Sequence, residues 1–147
     1  MASNSPRKIA SLATAHKIVE KLQELDGAGA SEIAEHLDIG RSTAYQYLMT
    51  LLDEGYVIKR NQKYHIGLKY LDHGMYARSN HPMVEVSRPS LQDLVDKTGE
   101  IGWITSENNG KLVTLDIVIG ERNLNDKFRG RIGNREYMHA HAGGKAI

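Results

Sequence analysis

The side chains with the clearest binding chemistry lie between Arg41 and Thr50, in a stretch with a helical pattern. Counted at about 100° per residue, Ala44, Leu48 and Leu51 form one apolar stripe of this helix. The opposite face carries Ser42, Gln46, Met49 and Thr50, with Thr43 and Tyr45 at its flanks. Hydroxyl and amide groups can donate to phosphates, and a glutamine can pair with an adenine edge in a major groove. The alternative is a solvated polar face on a small helical domain.

A group of cations follows this helix closely along the chain. Lys59, Arg60 and Lys63 stand within one short segment, with Asn61 and Gln62 between them. At the tip of a β-hairpin, these side chains would lie naturally against a phosphate backbone. Charges at a hairpin tip can also serve solubility alone. The polar helix face and the basic tip together, in this order, favour binding of double-stranded DNA.

The elements that must position these groups come next. A first helix is predicted by the apolar period of Ala15, Ile18, Val19, Leu22 and Leu25, and the glycines that follow end it. Ser31 is a predicted N-cap of a second helix, SEIAEHL, and a third runs from about Arg41 to Glu54. Strands at 56–60 and 63–67 then form a hairpin. This order is typical of a winged helix-turn-helix.

The second half of the chain starts with another predicted helix, at 68–78, with Leu68, Leu71 and Met75 on one stripe. The polar residues 79–82 end in proline and mark the best domain boundary. The predicted organisation is a DNA-binding domain at 1–67, a linker or dimerisation helix at 68–81, and a further domain at 82–147.

This further domain offers fewer clear elements. One helix is marked by Leu91, Leu94, Val95 and Thr98, with Pro89 in its first turn or at a kink. Two strands then meet at Asn109-Gly110, a strong hairpin signal. In the second strand, alternation places Val113, Leu115, Ile117 and Ile119 on one face, and Thr114 and Asp116 on the other. One helix and one hairpin make a marginal fold, so we expect a truncated domain or one that borrows a partner's core.

Composition narrows the class of protein. The 147 residues carry a net charge of +1, so any nucleic-acid binding must come from local patches. There is no cysteine and no apolar run of about 18 residues, which predicts a cytoplasmic chain without a membrane partner. No phosphate loop, nucleophile elbow or paired carboxylates indicate an enzyme, and no cofactor is expected.

Two smaller signals remain open. His139 and His141 form an H-x-H pair that could ligate a metal, but no further ligand stands at a familiar spacing, so they are better explained as shaping a turn. The basic segment 127–135 could bind anions, although a solvated loop is the simpler reading.

The sequence resembles the IclR family of transcriptional regulators from about Ala13 onward. The elements S-E-I-A, R-S-T-A-Y-x-Y-L and L-x-E-G-Y-V occur in family order, and YHIGL resembles the exit from the wing. RPSLQDLVDKTGE and the terminal HAHAGGKAI resemble the opening of the family's effector-binding domain. His141 stands where the family commonly has threonine, and Gln46 where it often has arginine.

The resemblance implies an α+β fold, with a winged helix-turn-helix, a linker helix and an incomplete α/β (GAF-like) effector-binding domain. It implies a homodimer or higher oligomer that binds operator DNA under the control of a small-molecule effector. By matching positions, the DNA-reading residues are Arg41, Ser42, Thr43, Tyr45 and Gln46, and the wing residues are Lys59, Arg60, Asn61 and Lys63. The dimer contacts are Leu68, Leu71 and Met75, and the effector contacts are His141, Gly144, Lys145 and Ala146.

Two other functions stay open beside this one. A winged helix can be a non-catalytic protein-interaction module, and a truncated regulator can pair with a full-length partner. A small-molecule sensor without DNA affinity is the third possibility.

Overall fold

The computed structural model describes residues 8–123 and 130–140, and the chain divides into two compact units, up to His73 and from Gly74 onward. The first unit contains three helices and a two-stranded sheet. The helices are α1 (Ala10–Glu24), α2 (Ala30–Leu37) and α3 (Arg41–Asp53), and the antiparallel strands are β1 (Val57–Arg60) and β2 (Lys63–Ile66). Helix α4 (Lys69–Ser79) follows and runs across the division between the units.

The core of the first unit is made by the apolar stripes of all three helices together with both strands. Ile18 and Leu22 from α1, Ile33 from α2 and Leu48 from α3 are fully buried. The predicted helical periods are therefore confirmed, because their apolar positions meet in one cluster. Ser31 is not the N-cap of α2, since the helix begins at Ala30 and Gly29 occupies the cap position.

The second unit packs one long helix on a small antiparallel sheet. Helix α5 (Pro82–Thr98) is followed by β3 (Gly102–Asn108), β4 (Lys111–Val118) and β5 (Arg135–Tyr137), in the order β3-β4-β5. Short 3-10 helices lie at Glu121–Asn123 and Met138–Ala140. The third strand was not predicted from the sequence. Its pairing with β4 gives the hairpin the additional strand that a stable sheet needs.

The first residues of α5 differ from the prediction. The helix begins at Pro82, where the missing N–H costs nothing, and a ring nitrogen of His81 accepts from the Met83 N–H. Pro89 consequently lies inside the helix rather than in its first turn. It removes the hydrogen bond that its position would otherwise donate to the preceding turn.

A β-bulge overturns the predicted alternation in β4. Ile104 pairs with Asp116, but the next residue, Thr105, pairs with Thr114, so Leu115 is an extra residue. Directly paired residues share a face, and Ile104 packs with Val84 of α5. Asp116 is therefore on the helix-facing side and only 2% exposed, whereas Ile119 is 46% exposed. The predicted polar face with Thr114 and Asp116 is wrong.

Candidate nucleic-acid interface

Helix α3 presents its polar residues outward because its apolar stripe is anchored in the core. Ala44 and Leu48 have no exposed surface, and half-buried Leu51 packs beside them. The side chains on the other side are exposed, and Tyr45 retains 50% of its surface. These exposed residues are Arg41, Ser42, Thr43, Tyr45 and Gln46.

Two further residues of α3 show where this exposed face ends. The Thr50 hydroxyl donates to the Gln46 carbonyl at 3.0 Å, so it is engaged within the helix. Met49 is half-buried rather than on the exposed face, and its Sδ lies 4.0 Å from the Tyr64 hydroxyl. In the described part of the chain, no hydrogen bond occupies the Gln46 side-chain amide, which leaves its donors and acceptor open to a ligand.

The wing is a tight hairpin whose turn needs left-handed backbone at both central positions. Asn61 and Gln62 have φ of 47° and 65°, which is the geometry of a type I′ turn. Asparagine tolerates this conformation, and glutamine adopts it here under the constraint of the paired strands. The sequence thus predicted the hairpin correctly from a weak turn signal.

The wing carries positive charge that the described residues do not neutralise. Lys59, Arg60, Asn61 and Lys63 are all exposed, and none of the ion pairs found in the described ranges involves the three cations. The Lys59 ammonium lies 5.3 Å from the centre of the Tyr64 ring, a cation–π contact that holds its stem near the hairpin.

Tyr64 ties the wing to the rest of the first unit, a role that the sequence did not reveal. Its N–H donates to the Ala28 carbonyl at 2.9 Å, and its carbonyl accepts from the Ala28 N–H at 3.1 Å. Gly27 beside it has φ of 99°, and a Cβ there would lie 2.2 Å from His65 Cε1. The loop between α1 and α2 therefore holds the wing through a single β-bridge between Ala28 and Tyr64.

The first turns of α4 are held on the first unit by an aromatic cluster. Tyr56 and Tyr70 have ring centres 5.0 Å apart, and the Tyr56 hydroxyl lies 3.1 Å from His73 Nε2. The Lys69 ammonium donates to the Glu54 carbonyl at 2.9 Å. Burial, with a smaller contribution from Tyr56, raises the pKa of Tyr70.

The predicted dimer stripe is open to solvent. Leu71 and Met75 lie on α4 and are 59% and 46% exposed. Leu68 is 80% exposed and precedes the helix by one residue, since α4 begins at Lys69.

Some of the predicted site residues fall in the C-terminal segment 141–147, beyond the described part of the chain. The effector residues His141, Gly144, Lys145 and Ala146 lie outside the described residues, and His141 is also the second histidine of the H-x-H pair. His139 stacks on Tyr137 at 5.6 Å. Across residues 8–123 and 130–140, no group of three metal-ligating side chains occurs.

Part of the basic segment 127–135 is structural. Arg135 lies in β5, and its guanidinium donates to the Asn108 carbonyl at 3.2 Å. The predicted loop is therefore wrong at Arg135, which lies in a strand, although its side chain is exposed to solvent as predicted. Within the described ranges, no helix combines the length and hydropathy needed to cross a membrane.

Comparison with known proteins identifies the domain that the first unit contains. Residues 11–60, which cover α1 from its second residue, then α2, α3 and the first strand of the wing, match the IclR helix-turn-helix domain. The first unit thus carries an IclR-type helix-turn-helix domain. The match does not reach β2, so Lys63 lies outside it and belongs to the wing only by its place in the hairpin.

This chain is similar to curated proteins that are named as transcriptional regulators. It is 24% identical over 147 residues to a probable HTH-type transcriptional regulator, ArcR, of Halobacterium salinarum, covering 99% of this chain and 56% of that protein. It is 28% identical to BhcR of Paracoccus denitrificans, covering 95% of this chain and 50% of that protein. The chain thus spans about half the length of the curated relatives it matches.

Solved structures show the same fold. The IclR protein of Thermotoga maritima matches with a TM-score of 0.71 at 25% identity, covering 95% of this chain and 57% of that one. An IclR family regulator from Brucella abortus matches with a TM-score of 0.78 at 22% identity, covering 99% and 57%. The expected α+β fold, a helix-turn-helix followed by a small sheet domain, is confirmed.

Proposed function

We propose that this chain is a sequence-specific, DNA-binding transcriptional regulator of the IclR type that acts in the cytoplasm. The observation that carries the proposal is the presence, in one unit, of an exposed polar face on α3 and a basic wing whose cations form no ion pair with the described residues. Both surfaces are exposed while their apolar backs are buried in one core, so the unit offers them to a partner.

The two surfaces divide the work of binding. Helix α3 enters the major groove with Arg41, Ser42 and Thr43 in its first turn, where residues of a recognition helix reach DNA first. Gln46 then offers an amide that can pair with adenine in a bidentate manner. The wing cations lie along the phosphates and contribute affinity that is independent of sequence.

Dimerisation would double these contacts. Leu68, Leu71 and Met75 make an exposed apolar stripe at and just before α4, which a second copy of the chain can cover. We propose a homodimer or a higher oligomer, whose two wings meet two half-sites. Occupancy of the operator would then respond to a small-molecule effector bound by the second domain, with no cofactor involved.

The experiment is a fluorescence-anisotropy titration of the purified chain. A duplex from the upstream region of its own gene is compared with a scrambled duplex, at two salt concentrations. We expect tighter binding to the upstream duplex and a strong loss of affinity with salt. Equal, weak binding to both duplexes would contradict sequence-specific recognition.

A matched pair of variants sharpens this test. Lys63→Ala removes a wing cation and should weaken binding to both duplexes alike, with a flatter salt slope. Lys97→Ala removes the same charge from α5, where the lysine already pairs with Asp93, and should leave both affinities unchanged. Equal effects of the two variants would mean that net charge alone, not the wing, governs binding.

The exposed stripe of Leu68, Leu71 and Met75 also favours a second candidate, a protein-interaction module that pairs with a longer relative. This alternative predicts that the chain binds neither duplex by itself. It also predicts that alanine at Leu71 and Met75 abolishes association with a full-length partner.

A further inference from the structure

Asp116 is a buried charged residue of the second unit, and two arginines from two different helices bind its carboxylate. Arg88 of α5 donates to its Oδ2, and Arg78 of α4 lies 3.0 Å from its Oδ1. The Ile117 N–H also donates to Oδ1 at 3.0 Å. With the carboxylate 2% exposed, each partner matters, because an unpaired buried charge is costly.

Arg78 makes a second contact that Arg88 does not. Its Nε donates to the carbonyl of Leu115 at 2.6 Å, and Leu115 is the extra residue of the bulge in β4. One planar guanidinium therefore grips both the carboxylate and the bulge carbonyl. This fork exists only because the bulge turns Asp116 toward the helices.

The C-terminal half of α4 has little else to hold it. All residues of this half other than Arg78 are exposed, namely 74–77 and Ser79. Only 19% of the Arg78 side chain remains accessible to solvent. Helix α4 buries no residue completely. Arg78 is thus the main side-chain attachment of these last turns to the second unit, within the part of the chain that the structure describes.

We propose that Arg78 is a releasable latch, which ties the last turn of α4 to the bulge in β4 through Asp116 and the Leu115 carbonyl. A rearrangement of β4 at this bulge breaks the fork and frees the end of α4. This inference rests on the proposed function and adds a means of control to it, because α4 also carries the stripe through which the regulator would dimerise. DNA binding would therefore depend on the ion pair between Arg78 and Asp116.

Hydrogen exchange on two matched variants tests the latch directly. Arg78→Gln and Arg88→Gln each remove one guanidinium from the same carboxylate, but only the first removes the contact to α4. We expect the amides of residues 76–79 to exchange about tenfold faster in Arg78→Gln and within about twofold of the unaltered chain in Arg88→Gln. Equal exchange of these amides in the two variants would overturn the latch.

A folding control and a milder variant keep this test decisive. The fluorescence of Trp103, the chain's single tryptophan, reports whether the second unit remains folded. If Arg78→Gln unfolds, Arg78→Lys provides the measurement, since it keeps a cation but lacks the planar fork. Faster exchange of residues 76–79 with β4 still protected supports the latch, and unchanged exchange contradicts it.

DNA binding separates this inference from the proposed function. On the upstream duplex, we expect Arg78→Gln to lower the affinity about fivefold and Arg88→Gln to leave it within about twofold. If the unaltered chain binds no duplex, the proposed function fails, while the exchange result still decides whether the latch exists. If Lys63→Ala weakens DNA binding but Arg78→Gln does not, the latch does not control DNA binding, and the proposed function as a DNA-binding regulator is still supported.

Discussion

The two units of this chain differ in where their polar and charged side chains lie relative to the apolar core. In the first unit, the buried cluster consists of aliphatic side chains and one tyrosine, and the polar chemistry lies outside on α3 and the wing. In the second unit, a smaller cluster around Val84, Ile104 and Leu115 lies beside the buried Asp116. The first arrangement leaves polar groups open to a ligand, whereas the second engages them in holding elements together.

The largest effect should come from the apolar core of the first unit. Leu48→Ala removes a fully buried side chain of α3 and should lower the free energy of unfolding by about 2–5 kcal/mol. Urea unfolding followed by far-ultraviolet circular dichroism measures this loss, and Tyr45→Ala on the exposed side of the same helix is the control. If Leu48→Ala equally shifts the Trp103 fluorescence transition, the units do not unfold independently and the comparison fails.

The counterpart in the second unit is Asp116→Asn. It leaves two arginines without their carboxylate, and we expect a loss of about 3 kcal/mol in the transition reported by Trp103. Asp93→Asn, which removes an exposed carboxylate paired with Lys97, should cost less than about 0.5 kcal/mol. Similar losses for the two variants would show that burial does not strengthen the contribution of Asp116.

The same carboxylate predicts a dependence on pH. Burial by itself would raise the pKa of Asp116, but the hydrogen bonds from Arg88 and Ile117 and the charges of Arg78 and Arg88 outweigh it and lower this pKa. The stabilisation is therefore complete above the ordinary pKa of an aspartate and is lost as the pH falls toward the lowered value. Trp103 unfolding midpoints measured at decreasing pH should fall less steeply in Asp116→Asn than in the unaltered chain.

Sequence patterns predicted the first unit better than the second for a physical reason. Stripes such as Ile18 and Leu22 recur with the helical period, and the period alone determines which face is buried. The docking of Tyr64 on Ala28 was missed because it uses backbone groups, which every residue possesses. The residues proposed to read DNA could be placed on the exposed face of α3, although their role as contacts is still a prediction.

In β4, a period of two could not reveal the bulge. The strand has apolar side chains on both faces, at Leu112, Val113, Leu115, Ile117 and Val118. One inserted residue therefore changes which face is buried without changing the apolar pattern. Three-residue β5 is too short to show any alternation. The proposed latch was hidden for the same reason, since Arg78 and Asp116 meet only after the bulge has turned the strand.

A smaller effect is expected where the first unit would meet a base. Gln46→Ala should cost about 1–3 kcal/mol on the upstream duplex and relax the preference at one base position. Gln23→Ala, at an exposed glutamine of α1, makes the same chemical change away from α3 and should leave the affinity for both duplexes unchanged. Equal losses on the upstream and the scrambled duplex would show that Gln46 contacts the backbone and reads no base.

The smallest effect concerns Gly74, which begins the second unit in the middle of α4. A Cβ there meets no atom within 4 Å, and the residue has no left-handed φ, so packing does not require glycine. Gly74→Ala should raise the free energy of unfolding by about 0.5–1 kcal/mol, because alanine loses less conformational freedom in a helix. If Arg78 fastens this half of α4 to the second unit, the gain appears in the Trp103 transition. In Arg78→Gln the same substitution should then leave that transition unchanged, since the released turn no longer shares the unit's stability.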